Sequence, residues 1–440
     1  MTPVIAHLQA NFPELPLTAA QQPLHWTFDS GIKQLGPDFY GKIIPLHPVL
    51  NMEYSVLCSQ LRHIFSTPQQ ISHDQLIEQL TAALMLAELL EHLHLHYLIV
   101  PREVERLRRH QEVYRTLLTE LAGYSFAIKK SNIETVAVGL SLSQQIRDNT
   151  AFANWIRLLL TRSKRVLNFL DLVGTGSEQF RNFVLGIDKY TNPFFAYLAW
   201  CFFIPRLTTN LFLLAKHTIP GFWMGEEEKS LGWDVRLEAQ IQRRWFELTN
   251  DIVWVALGLL NCFILTGTLI PVGAYLTLCV FTIDVACASL RAYIELKRLY
   301  KLQEEYADLL QKEPIEENKQ AIKDYQNYLT QRIKFEQLRL GLSVAATSSV
   351  FIAMCLAMPV LALNPVLPLI GAFLLIAIWV ASFYLTRKIE QYRPNDTIEM
   401  PSNVTKLGFF AKKQDGQSAL PSRQEPTPEG ETPNTEGLRA

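Results

Sequence analysis

The sequence predicts an all-α, multi-pass membrane protein: two membrane hairpins plus one re-entrant, interfacial or kinked segment, with a cytosolic helical domain and a helical stalk. Three observations carry that expectation. Two long blocks late in the chain hold no charge and are broken near their middles by Pro or Gly. Lys and Arg crowd the outer ends of those blocks. The remainder is punctuated by helix caps and shows no convincing strand alternation. With 440 residues, 49% hydrophobic and 19% charged, the chain is rich in apolar residues for a soluble protein. Lys+Arg 41 against Asp+Glu 42 leaves net charge -1, which removes the basic footprint of a nucleic-acid binder. Six Cys in this length exclude a disulfide-stapled scaffold, and none has zinc-like CxxC spacing.

Residues 1–48 form a Pro-rich segment with no sustained apolar run and no export signal, so a cytoplasmic start is expected. Gly36, Gly41 and Lys42 have phosphate-loop spacing, but Ile43 stands where Ser or Thr would hold Mg²⁺ and Pro37 sits in the loop, which argues against one. Residues 49–189 are expected to be a soluble all-helical domain. Ser72, His73, Asp74 and Gln75 match a capping box for a helix running to about Val100. Pro101 starts another, with Glu103 and Glu105 near its start and Gly123 at its end. A third apolar group covers 131–171, and the glycines of 174–177 break it before a short helix from Glu178 to Leu185.

Nine of the ten His precede residue 111, and one group bears on chemistry. Glu88, His92 and His96 share a helix face at i, i+4, i+8, a spacing that can ligate zinc or iron. Against this, HExxH is absent, and Glu91 with His94 makes a single Glu-x-x-His where a di-iron bundle needs two. A polar helix face with its own hydrogen-bond partners is the plainer expectation. GxSxG and GxGxxG are absent too, so no cofactor and no catalysis is implied.

Residues 190–215 are apolar and aromatic but interrupted by Pro205 and Arg206, hence the interfacial, re-entrant or kinked segment. An amphipathic helix is expected over 231–248. No Asp, Glu, Lys or Arg occurs from 252 to 283. One helix of that length would measure about 48 Å against a hydrocarbon core of about 30 Å, so two spans, about 251–270 and 273–291, are expected around Gly267, Pro271 and Gly273. The charge-free run 340–386 divides likewise into about 340–359 and 366–386, around Pro359, Asn364, Pro365 and Pro368. Arg243, Arg244, Arg291, Lys297, Arg298, Lys301, Arg332, Lys334, Arg339, Arg387, Lys388 and Arg393 flank the outer ends, and neither turn carries Lys or Arg. The positive-inside rule puts all outer ends in the cytoplasm. The intramembrane polar residues are Asp284, Arg206, Asn261, Thr347, Ser348 and Ser382. Asp284 is expected to face the bundle and bond the hydroxyls of Thr347, Ser348 and Ser382.

Between the hairpins, Leu299, Leu302, Tyr306 and Leu309, then Ile322, Tyr325, Leu329 and Ile333, recur at helix-seam spacing on either side of Pro314. They predict a cytosolic hairpin stalk over 291–340, with packing within the chain favoured over docking of other chains. Residues 393–440 are Pro/Glu/Thr/Ser-rich and expected to be disordered. The leading functional expectation is a membrane scaffold or interaction protein, with the lipid bilayer and a protein partner of the cytosolic helices as partners. The architecture also suits a secreted bacterial effector at a host membrane. A transporter or channel using Asp284 and a metalloenzyme using Glu88, His92 and His96 are the alternatives.

Overall fold

The computed structural model describes residues 2–17, 25–66, 72–126, 178–179, 181–187, 203–356, 358, 366–393 and 398–399, and among them every regular element is helical. The expected third apolar group at 131–171, the break at 174–177 and the turn around Asn364 lie outside these residues.

Six helices make a body: α1 (Pro3–Asn11), α2 (Phe28–Gln34), α3 (Pro37–Ile43), α4 (His47–Ser66), α5 (His73–His92) and α6 (Pro101–Ala122). The hub is α5. Its middle is apolar on every side, and Leu80, Leu84, Met85, Leu86, Leu89 and Leu90 have no exposed surface, as a helix without a polar face requires. It opens with the expected capping box: Ser72 Oγ accepts the Gln75 N–H and Gln75 Oε1 accepts the Ser72 N–H, both at 3.3 Å. It ends in a π turn, Leu93–Tyr97. Gly123 closes α6 at φ +69°, where a Cβ would be strained.

Residues 1–48 depart from the expectation of a separate Pro-rich segment. Pro3 and Pro37 each sit in the first turn of a helix, where a missing N–H costs nothing. Val4, Leu8, Phe28, Ile32 and Tyr40 are buried in the same core as α4–α6, so that core begins well before residue 49.

The second half is built from α7 (Phe203–Thr218), α8 (Glu226–Ser230), α9 (Trp233–Leu259), α10 (Ile270–Lys312), α11 (Glu316–Leu356) and α12 (Val366–Gln391). Three stretches among the described residues are long and apolar enough to cross a membrane: Trp233–Ile264, Pro271–Lys312 and Asn318–Leu356. The fourth expected span is α12, packed along α11. The amphipathic helix expected at 231–248 and the first span are one helix, α9, which runs into a π turn, Leu260–Ile264. Gly267, at φ +62°, makes the turn that follows, while Pro271 lies in the first turn of α10 and Gly273 just inside it.

Helices α10 and α11 pass positions 291 and 340 without a break, so each apolar stretch continues as one arm of the stalk. At 43 and 41 residues they measure about 64 and 61 Å. The seam residues Leu299, Leu302, Tyr306, Ile322, Tyr325, Leu329 and Ile333 are buried, with Leu309 at the margin, and the rings of Tyr306 and Tyr325 are 4.5 Å apart. Two stalk arms alone cannot enclose such a seam; α1 and α4 cover it, and one hydrophobic core spans body and stalk. The stalk seam is therefore covered by this chain's own amino-terminal helices, the packing within the chain that is the favoured of the two expectations. The segment after α12 also returns to the body: Ile398 is 6% exposed and its N–H donates to His110 Nε2 at 3.4 Å. Residues 400–440 lie outside the described residues.

Tyr306→Ala should destabilise the whole protein by about 3–5 kcal/mol in denaturant unfolding, since it opens a cavity shared by body and stalk. A fragment of residues 2–126, deprived of the stalk, should bind an apolar dye strongly; a compact fragment that ignores the dye would contradict the shared core.

Candidate functional site

Body and stalk meet around one buried carboxylate. Helix α4 carries Glu53, which has no exposed surface, between α1 and the stalk. The Tyr306 hydroxyl donates to Glu53 Oε1 at 2.8 Å, and the Tyr325 hydroxyl donates to the Glu53 backbone carbonyl at 3.4 Å. His7 Nδ1 lies 2.7 Å from the same Oε1, and His7 Nε2 lies 2.9 Å from Glu305 Oε2 on α10. The imidazole stacks on Tyr306 with centroids 5.0 Å apart. Burial alone would push the His7 imidazole down; the Glu53 and Glu305 carboxylates outweigh it and raise the pKa to about 8. At neutral pH His7 is thus a cation tying α1 to α4 and α10. Tyr306 and Tyr325 stand on the expected seam, but nothing in the sequence pairs them with Glu53 or His7, because helices up to almost 300 residues apart supply these groups.

The Glu/His face of α5 is spent differently from the expected ligand set. Glu88 accepts Trp26 Nε1 at 2.8 Å and Arg115 Nη2 at 2.6 Å; Glu91 accepts Arg108 Nε and Gln111 Nε2, each at 2.7 Å. Guanidinium groups on α6 are stronger partners for a buried carboxylate than a neutral ring, and they draw both acids toward α6. The rings of His92 and His96 lie tilted against each other with centroids 4.5 Å apart, beside Tyr40 and Tyr97. His94 Nδ1 donates to the Leu90 carbonyl at 2.7 Å, and its ring meets that of His47 edge-on. Among the described residues no group of three His, Cys, Asp or Glu is placed to hold a metal ion. Burial holds these imidazoles neutral: it lowers His47 and His92 to about 4, and it lowers His94 and His96 as well.

A polar ladder joins α7 to α9. Arg206 Nε lies 2.7 and 2.8 Å from the two carboxylate oxygens of Asp251, which is fully buried, and Nη2 closes on the same group. One turn toward the body, Asn210 Nδ2 donates to Glu247 at 3.2 Å. One turn the other way, Phe203 stacks on Trp254 at 6.0 Å, and Trp254 Nε1 donates to Asp284 Oδ2 at 3.2 Å. The rungs pair ascending with descending residues, so α7 runs antiparallel to α9. Pro205 and Arg206 lie on α7, and residues 190–202 of the expected interfacial, re-entrant or kinked segment lie outside the described residues. The expected hydroxyl partners of Asp284 are not the ones it uses. The Thr347 hydroxyl donates to the Ser343 carbonyl of its own helix, while Ser348 and Ser382 sit on α11 and α12. Asn261, on the π turn, packs on Gly273, where a Cβ would come 2.5 Å from Asn261 Oδ1, so the glycine lets the first two apolar helices close.

No family model, curated protein or solved structure matches the chain. The functional reading rests on this geometry.

The two kinds of histidine impose opposite pH limits. The folded pKa of His7 lies above the ordinary 6.5, so its contribution of about 2 kcal/mol is complete below pH 6.5 and is lost as pH rises through 8. His47 and His92 are lowered to about 4, so the stability they confer is present above pH 6.5 and is lost as pH falls toward 4. The unfolding midpoint should therefore peak between pH 6.5 and 8. His7→Gln should flatten only the alkaline limb and His92→Phe should ease only the acid limb; an exchange of these effects would refute the assignment.

Arg206→Ala leaves the Asp251 carboxylate buried without its cation and should cost about 3–5 kcal/mol. Limited proteolysis should then cut between α7 and α9, and Arg206→Ala/Asp251→Ala together should recover most of the loss.

Proposed function

We propose that this protein is an integral membrane scaffold: a multi-pass chain that fixes a helical body at the cytoplasmic face of a bilayer and presents it to a protein partner, without chemistry of its own. One observation carries the reading. Helices α10 and α11, both long and apolar enough to cross a membrane, run unbroken into the core of the body. An enzyme merely tethered to a membrane needs only a linker; continuous helices fix position and angle.

The topology that fits is two hairpins with body, stalk and both ends in the cytoplasm. It is supported by the cations at the outer ends, by turns free of Lys and Arg, and by the return of Ile398 to His110 after α12. The bacterial inner membrane and a host organelle membrane reached by a secreted effector both suit it. In-chain partners for Arg206, Asp251 and Asp284 favour a scaffold over a transporter, because these groups fasten helices together. With the stalk seam covered, a partner needs another contact. The α7–α8 loop offers one: Ile219, Phe222 and Trp223 are 57%, 95% and 46% exposed, beside the acidic Glu226 and Glu227. That tip suits a partner with an apolar patch ringed by cations.

Single cysteines test the topology. One at Val272 should react with an impermeant reagent from the far side of the membrane, and one at Pro314 only from the cytoplasm. Labelling of both from one side would reject the two-hairpin arrangement. A proton or cation flux through reconstituted protein, lost in Asp284→Asn with the fold intact, would assign transport instead.

A further inference from the structure

The outer half of the stalk and the body enclose an open cavity of about 790 Å³, bounded by the start of α1, the end of α4, the start of α5 and residues 318–331 of α11. That is within the size range of small-molecule sites. Its floor is made of Thr2, Gln60 and Gln79, which are 5%, 8% and 9% exposed. Gln79 Oε1 and Thr2 Oγ1 are buried without a hydrogen-bond partner, although almost all buried acceptors in folded proteins find one. Asp74, Glu78 and Asp324 place three carboxylates at the rim, and the Tyr328 ring forms a wall. Among the described residues neither Lys nor Arg lines this cavity, and His63 is the one lining side chain that can carry a positive charge. An adjoining pocket of about 310 Å³, which shares His63, Tyr328 and Gln331, is lined instead by Arg62 and Arg332.

We propose that the larger cavity binds a linear aliphatic polyamine. Each feature matches one part of such a molecule. Ammonium groups only donate, which suits carboxylates at the rim and an amide oxygen lacking a donor at the floor. The aromatic wall can face a cation and the methylenes between cations. The two arginines next door repel a polycation and set the end of its site. A lone metal ion is a poorer match, since no three acidic or imidazole groups among the described residues converge on one point. This site is independent of the scaffold reading and of the membrane topology.

Calorimetric titration of the full-length protein in detergent micelles with spermidine should show saturable one-to-one binding and a saturable rise in the thermal unfolding midpoint. Glu78→Gln with Asp324→Asn should weaken binding at least tenfold. Gln79→Leu, which replaces the orphaned amide by an apolar group of similar size, should weaken it several-fold without lowering the melting midpoint of the free protein. Glu112→Gln with Glu120→Gln, the same charge change on exposed α6, should leave binding unchanged. The absence of saturable binding by the wild type would overturn the proposal. So would an equal loss in the α6 control, which would mean diffuse attraction of cations. Binding of tetralysine without binding of spermidine would give the cavity to a basic protein segment and reject the polyamine.

Discussion

The junction of body and stalk depends on burying the Glu53 carboxylate among partners from other helices. A carboxylate with no exposed surface is strongly unfavourable unless cations and donors surround it. Its partners come from α1 through His7 and from α10 through Tyr306, while α11 supplies Tyr325 to its backbone. No subset of these helices meets the requirement alone. The polar centre therefore selects one arrangement of helices that apolar contact by itself would leave free to slide. The aromatic rings of Tyr306 and Tyr325 provide the apolar packing around it.

Legibility followed the range of the interaction. The capping box at Ser72 and Gln75, Pro101 at a helix start and the seam from Leu299 to Ile333 are local patterns, and each stands where sequence reasoning puts it. Tertiary pairings were not legible. His7 gave no sign of a partner, and Asp251 looked like the polar edge of a span because nothing nearby in sequence pairs with it. One clue was available: Arg206 stood in an apolar block without a local acid, and such a cation requires an acid elsewhere. The His-rich stretch left its partners unread for a related reason. Periodicity shows which side chains share a face, but not that Arg108 and Arg115 on α6 take the carboxylates first.

The two halves handle polar groups by one rule. In the body, Glu88 and Glu91 close a network with Trp26, Arg108, Gln111 and Arg115. Along α7 and α9, Asn210, Arg206 and Trp254 serve Glu247, Asp251 and Asp284. In both places acids act as fasteners between helices, with each acceptor matched to a donor on a neighbour. The cavity at the outer stalk departs from that rule. There, Gln79 Oε1 and Thr2 Oγ1 are buried without a donor.

On the membrane reading proposed above, the unbroken passage of α10 and α11 from apolar stretch to buried core makes the pair a lever. A span too long for its surroundings tilts, and bilayers of different thickness demand different tilts. A hinge at the membrane surface would absorb that change, but neither helix has one near positions 291 or 340. On an arm of about 30 Å, a tilt of about 10° carries the far end through about 5 Å. Because Glu53, His7 and the tyrosines lock the body to that far end, the body swings with it. On that reading its distance from the lipid surface follows the thickness of the bilayer.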